Sequence, residues 1–219
     1  MAKEILTKRQ IFLLRLIAKD KFLQKHFYLT GGTALAGLYL HHRLSEDLDF
    51  FSEQEFDVSA VTVFFQKNKQ NIRFTKIDFQ QSYNRNLFFL HFKDEIVKTE
   101  FTYYPFPRID ATKKEMGLSI DSILDIAVNK LFTIYQQTNA RHYIDLYCII
   151  QKYGWSIDGL VKKAKAKFDW HIDPLQLGTQ FIKVKTAKDF PNMIEKIPPQ
   201  EWRDFFIHEA EKLKNQVIK

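Results

Sequence analysis

Apolar positions change their period about half-way along the chain. Ile5, Ile11, Phe12, Leu14, Leu16 and Ile17 fall mostly at helical spacing in a run without Gly or Pro, which predicts a helix from about Glu4 to Lys19. Phe27, Tyr28 and Leu29 predict a short strand that stops at Gly31-Gly32. Thr33 then opens a helix carrying Ala34, Leu35, Ala36, Leu38, Tyr39 and Leu40. Leu48 and Phe50 alternate with Asp47 and Asp49 until Phe51 breaks the pattern, as in a half-buried strand with its acids on one face. Asp57 begins a helix through Val61, Phe64 and Phe65 to about Lys69. Three β-rich runs follow, Ile72 to Phe79, Leu87 to Phe92 and Ile96 to Tyr103, with Asn84-Arg85-Asn86 and Lys93-Asp94-Glu95 as hairpin turns. Pro105 and Pro107 end this section. From Ser119 the pattern is helical. Ser119, Asp121 and Ser122 form an N-cap neighbourhood for a helix through Ala127, Leu131 and Ile134. A second helix runs from about Asn139 to Tyr153 and stops at Gly154; the last covers about Pro199 to Val217.

This order predicts an α+β chain: a strand-rich region over residues 1–117 and a helical region over 118–219, divided near Met116-Gly117. A length of 219 residues fits one large domain or two small ones. Only 7 glycines leave little material for a flexible linker, so the two regions are expected to pack together. A composition of 45% hydrophobic and 27% charged residues is that of an ordinary globular protein. The net charge of +7 favours encounter with a polyanion, whether nucleotide or nucleic acid. One cysteine, Cys148, excludes a disulfide within the chain and reads as a small buried hydrophobe. Residues Met1 to Lys8 lack the apolar core of a signal peptide, and no apolar run reaches the ~20 residues that span a bilayer. The expectation is a cytoplasmic protein with no membrane partner.

Two short motifs carry chemistry. In Leu29-Thr30-Gly31-Gly32-Thr33, paired glycines between a strand and a helix let the backbone approach a phosphate, with Thr33 as an added hydroxyl donor. Alone, it reads equally as a tight turn. In Ser45-Glu46-Asp47-Leu48-Asp49, the two aspartates project to one strand face, where they repel unless a cation sits between them. Mg²⁺ suits such a pair, because it takes one or two carboxylates plus substrate phosphates.

The turn, a helix of about two turns, the basic His41-His42-Arg43 segment and the acid pair form one compact block. It resembles the opening motif of DNA polymerase β-like nucleotidyltransferases, and more closely that of the AbiEii/AbiGii toxin family. Val97-Lys98-Thr99-Glu100-Phe101 and Tyr104-Pro105-Phe106-Pro107 are similar to the family's third-acid strand and the segment after it. Ile126 to Leu131 resembles its lysine helix, and Arg141 through Asp145-Leu146-Tyr147 its Arg-x-x-x-Asp-Leu-Tyr element. The resemblance spans about residues 28 to 150. It implies a polymerase β-like core, a mixed sheet flanked by helices, followed by a helical half that completes the active-site cleft. It also implies an NTP substrate and Mg²⁺ or Mn²⁺ held by Asp47 and Asp49. Gly31, Gly32 and Thr33, together with Arg43 and Ser45, would hold the nucleotide, and Lys130 would contact its phosphates. Asp145 would orient Lys130 or the acceptor. The implied reaction transfers a nucleoside monophosphate to an acceptor, an RNA such as a tRNA 3′ end or else a protein. The implied setting is a toxin–antitoxin or phage-defence pair with a cognate antitoxin.

One position departs from the polymerase β-like pattern. The third acid is usually Asp and here is Glu100, whose carboxylate stands further out by on the order of 1.5 Å. Either Glu100 still serves as general base, or Asp78 on a neighbouring strand stands nearby. A nucleotide-binding interaction protein with little or no turnover is the alternative reading. Other residues read structurally. Arg141 and Asp145 have the spacing of a helical ion pair. His41 and His42 read as surface or phosphate-facing residues, since no cysteines accompany them for zinc. Lys162, Lys163, Lys165 and Lys167 read as a solvated helix face, or as phosphate contacts if the acceptor is RNA. His171 and Asp173 read as structural.

Overall fold

The structure, a computed structural model, describes residues 5–217. The predicted helix start at Glu4 lies outside them. The chain divides into two compact units. One takes the residues up to Tyr39, Leu44–Pro107 and Ala111–Ser122; the other takes Leu40–Arg43, Arg108–Asp110 and everything from Ile123.

The first unit is built on a seven-stranded mixed sheet. Its strands are β1 (Tyr28–Thr30), β2 (Leu48–Ser52), β3 (Lys76–Ser82), β4 (Arg85–His91), β5 (Ile96–Tyr103), β6 (Lys113–Glu115) and β7 (Leu118–Ile120), in the order β3-β4-β5-β2-β1-β7-β6. β3, β4 and β5 form an antiparallel meander. β2 runs parallel to β5 and antiparallel to β1, and β1 runs parallel to β7. Helices α1 (Lys8–Ile17), α2 (Lys21–His26), α3 (Gly31–Leu35), α4 (Val58–Lys67) and α5 (Lys69–Ile72) belong to the same unit. After α3 the helix continues in π geometry over Ala36–Leu40. The alternation that leaves Asp49 half-buried on one face of β2 buries Leu48 and Phe50 on the other. Phe50 stacks on Phe101 of β5 at 5.0 Å, and Phe65 of α4 and Phe88 of β4 meet the same ring edge-on or at longer range. Such aromatic pairs contribute roughly 0.5–1.5 kcal/mol each beyond the area they bury.

Three sequence expectations change here. α1 is shorter than expected because Thr7 and Gln10 close a reciprocal capping box at its start. The β3–β4 turn is Tyr83-Asn84, with Ser82 paired to Arg85, so Arg85 and Asn86 are strand residues rather than turn residues. Met116-Gly117 is a hairpin turn, not a domain boundary. Both residues have positive φ, 51° and 82°, which matches a two-residue turn to the twist of β6 and β7. Ser119 therefore lies in a strand beside Tyr28, and the division between units falls after Ser122 instead of at residue 117.

The second unit is helical: α6 (Ile123–Gln136), α7 (Ala140–Tyr153), α8 (Ile157–Phe168), α9 (Pro174–Ile182), a 3₁₀ turn (Lys183–Thr186) and α10 (Pro199–Val217). Asn139 caps α7 through its side chain, and Gly154 ends it at φ 69°. Asp173 caps α9 and is structural, as expected. Tyr143, Phe181, Trp202 and Phe206 are fully buried, and Phe132 stacks on Phe168 at 4.0 Å. Lys162, Lys163 and Lys165 are exposed along α8. Lys167 is not part of that solvated face. Its ammonium sits 2.6 Å from Asp125 Oδ1, and both side chains are 0% exposed. Asp125 also accepts the backbone N–H groups of Ile109 and Asp110, which ties that loop to α6. No helix among the described residues is long and apolar enough to cross a membrane.

Removing one member of a buried ion pair leaves an uncompensated charge, at a cost of about 3–5 kcal/mol. Asp125→Ala should lower unfolding free energy by that amount in urea titration, and Asp125→Leu combined with Lys167→Met should recover part of it, since the Ile109 and Asp110 N–H groups stay unpaired. A double variant as unstable as Asp125→Ala would show that these backbone hydrogen bonds, not the ion pair, are what Asp125 provides.

Candidate active site

Strand register assembles the acids of the first unit. Asp49 is the Cα partner of Glu100 across the parallel β2–β5 pair and of Thr30 across β1–β2. Asp47 lies just before β2, and its contact with Lys98, two residues before Glu100 on β5, puts it on the same face. Three carboxylates thus share one side of two adjacent strands. Glu100 is nearly buried, its side chain 6% exposed. Arg85 Nε and Nη2 donate to its two oxygens at 2.8 and 2.7 Å, and the Thr102 hydroxyl donates at 2.7 Å. Burial works to raise the Glu100 pKa, but Arg85 and Thr102 outweigh it and hold the carboxyl below its ordinary range. Lys98 Nζ donates to Asp47 Oδ2 at 2.8 Å.

The Gly-Gly-Thr turn packs directly on these acids. Gly31 has φ 70°, and a Cβ there would overlap the Asp49 carboxylate. Only glycine meets both demands. Thr33 is fully buried, and its hydroxyl bonds to the Asp47 carbonyl and to the Ser45 hydroxyl. The expected role of Thr33 as a phosphate donor is therefore corrected. It fixes the segment leading into β2, and Ser45 is its partner. Asp78 does not join the acids: it sits on edge strand β3, paired with Lys76 and His91.

In the second unit a single carboxylate is the hub. Asp145 on α7 is 0% exposed. Its Oδ1 accepts from His42 Nε2 at 2.8 Å and Arg43 Nε at 2.7 Å; its Oδ2 accepts from Arg43 Nη2 at 2.8 Å and lies 2.7 Å from Lys130 Nζ. Burial alone would raise the Asp145 pKa, yet Lys130 and Arg43, with the hydrogen bonds, hold it well below the usual carboxylate range. The Lys130 ammonium also lies 3.3 Å from His142 Nδ1. Burial first, and then the Lys130 charge, push the His142 pKa down to about 3, so His142 is neutral and accepts from Lys130. Backbone hydrogen bonds from Ile194 and Glu195 to the His42 carbonyl hold the 40–43 segment in this unit.

The family profile for the nucleotidyl transferase AbiEii toxin, Type IV TA system, matches residues 12–215. The chain belongs to that family. It is 32% identical over 146 residues to Uncharacterized protein aq_aa25 of Aquifex aeolicus (strain VF5). That stretch covers 65% of this chain and 66% of that protein, just under two thirds of its length. In fold it is similar to JHP933 from Helicobacter pylori, with a TM-score of 0.61, 21% identity, and coverage of 95% of this chain and 90% of that one. A provisionally assigned nucleotidyltransferase from H. pylori is equally similar, at TM-score 0.61 and 20% identity over 99% and 97% of the two chains. In fold the chain is α+β, like these structures, and membership of the AbiEii family implies nucleotidyl transferase activity on an NTP substrate.

Within an AbiEii nucleotidyltransferase, the Asp47/Asp49 donor set has a definite chemistry. Among the described residues, no group of three or more His, Cys, Asp or Glu side chains forms a self-sufficient metal site. Two hard carboxylate donors on one face fit a cation such as Mg²⁺, which completes its shell with phosphate oxygens and water.

Several sequence expectations for the site change. Arg43 is 3% exposed and its guanidinium donates to both Asp145 oxygens, because a fully buried carboxylate needs cationic donors. His42 is buried on the same carboxylate, not at the surface, whereas His41 is exposed. Arg141 bonds to the Asn139 side chain rather than to Asp145. Cys148 is half-buried, and burial together with Asp145 pushes its thiol up to about 12, so it stays protonated. Arg85, Lys98 and His142 were missed. Placing Arg85 in a turn hid its strand position opposite Thr102, the one signal that sets it beside Glu100.

Two predictions follow from this geometry. The ordinary pKa of an aspartate is about 3.9. The folded value for Asp145 is depressed, so its ionisation stabilises the fold fully above about pH 4, and that contribution is lost as pH falls toward the folded pKa. The stability gap between wild type and Asp145→Asn should therefore narrow below pH 4 in acid-titrated urea unfolding; a gap unchanged from pH 7 to pH 3 would contradict it. Gly31→Ala should lose about 1–2 kcal/mol from left-handed strain and should displace the Asp49 carboxylate. Comparison of its melting temperature and crystal structure with wild type checks both.

Proposed function

We propose that this nucleotidyltransferase transfers a nucleoside monophosphate from an NTP to RNA, with a tRNA 3′ end as the first acceptor to test. We read it as the toxin of a toxin–antitoxin pair with a cognate antitoxin. The observation that carries the reading is the pairing of Asp49 with Glu100 across the β2–β5 register, with Asp47 beside them on Lys98 of β5. In the reaction, the acceptor hydroxyl oxygen bonds to the α-phosphorus, the bond from that phosphorus to pyrophosphate breaks, and the hydroxyl proton passes to a base or solvent. Such chemistry is mostly positioning and charge neutralisation, so few groups are needed.

Asp47 and Asp49 are the proposed holders of a divalent cation, which would supply charge neutralisation at the phosphates when bound. Gly31 and Gly32 bring backbone close to the triphosphate. Lys130, an ammonium held between Asp145 and His142, is the proposed phosphate contact in the helical unit. Asp145, with no exposure of its own, is a positioning residue rather than a reacting one. Exposed Lys162, Lys163 and Lys165 are available to an RNA backbone.

The test incubates the protein with each α-labelled NTP, Mg²⁺ and total RNA. Asp49→Ala should reduce label transfer by a factor on the order of 10³ or more, as loss of a charge-stabilising group at phosphorus does. Label appearing on protein instead of RNA would replace the acceptor assignment. Transfer to neither, with every NTP, would sink the proposal.

A further inference from the structure

Two cations already stand at the acidic face, and they stand there differently. Arg85 holds Glu100 by a planar fork, with two parallel hydrogen bonds to a carboxylate that is almost fully enclosed. Lys98 makes one contact, 2.8 Å from Asp47 Oδ2. Both groups of that second pair are in partial contact with solvent, at 24% and 33% side-chain exposure. Lysine is a point charge on a flexible stem, and an ion pair at such exposure is weak. Lys98 is two residues before Glu100 on β5 and so projects to the acids' own face. Asp47 contributes directly to the proposed cation site, so an ammonium bonded to it and a divalent cation would compete for the same oxygens.

We infer that Lys98 is the resident counter-ion of the Asp47/Asp49 pair: it neutralises Asp47 when no divalent cation is bound and must leave that carboxylate for one to bind. The inference rests on the proposed role of Asp47 and Asp49 as cation ligands. Its physical content is that Lys98 balances the Asp47 charge and holds that carboxylate in place without metal, at the cost of weaker metal affinity. Arg85 also feels the charges of Asp49 and Asp47, but its hydrogen bonds are made to Glu100.

The experiment is titration of the full-length protein with Mn²⁺ alone, following free Mn²⁺ by electron paramagnetic resonance, with no nucleotide present. Wild type should bind Mn²⁺, and Asp49→Asn should abolish that binding. Lys98→Met should bind on the order of tenfold more tightly, since a competing positive charge beside the ion is gone. Lys98→Arg, which keeps the charge, should stay near wild type. Melting temperature gives a second reading: Lys98→Met should melt below wild type without Mn²⁺ and gain more than wild type when Mn²⁺ is added. Lys98→Gln carries the same expectations should the methionine variant fail to fold. Asp49-dependent binding that is unchanged or weakened in Lys98→Met and Lys98→Gln would overturn the counter-ion role while leaving the cation site in place. Wild-type binding indifferent to Asp49→Asn would instead remove the cation site and this inference with it.

Discussion

Carboxylates placed side by side must be compensated, and that constraint organises the sheet unit. The Lys98 contact puts Asp47 on the face of Asp49, and the parallel register of β2 with β5 adds Glu100 beside Asp49. Cations or hydrogen-bond donors facing such groups offset their mutual repulsion. Lys98 and Arg85 meet that need from β5 and β4. The surrounding backbone then has little freedom. Gly31 has to be glycine, because the Asp49 carboxylate occupies the space of a side chain there. Thr33 gives up its hydroxyl to hold the Asp47 backbone, so that the first acid enters the strand in the right phase.

The helical unit solves the same problem at greater depth. Asp145 and Asp125 have no exposure, and each is matched by buried cationic or N–H donors from distant parts of the chain. A buried ion pair is weak evidence for net stability, since desolvation offsets much of the attraction. Orientation is what it reliably provides. Lys130 is held by an ionised carboxylate on one side and by a neutral imidazole on the other. A lysine so constrained keeps little rotamer freedom.

What the sequence made legible was local. The acid alternation, the glycine pair after β1, Asn139 and Gly154 at the ends of α7, and the strand-then-helix order all follow from short-range rules. What it hid was long-range pairing. Lys167 looks like its solvated neighbours Lys163 and Lys165 until α6 brings Asp125 to it across 42 residues. His42 and Arg43 look like phosphate-facing residues until Asp145, 102 or more residues later, takes both. The β6–β7 hairpin escaped because Met116 is not the asparagine or glycine that usually marks such a turn.

The same distinction alters the meaning of Glu100. Read alone, a glutamate in place of the usual aspartate is a carboxylate displaced by one methylene. In the sheet, that added reach has a partner. Arg85 lies opposite Thr102 and therefore diagonal to Glu100, whose direct neighbour on β4 is Leu87. The longer side chain spans that diagonal and places both of its oxygens on the guanidinium, with Thr102 from its own strand adding a third donor. The exchange thus comes with its compensation built into the adjoining strand, which is hard to reconcile with simple decay of a site. It also shifts the chemistry asked of this acid. A carboxylate with every oxygen committed and its pKa held down is a poor acceptor for a proton and a good fixed negative charge. In this arrangement Glu100 is a fixed negative charge at the acidic face.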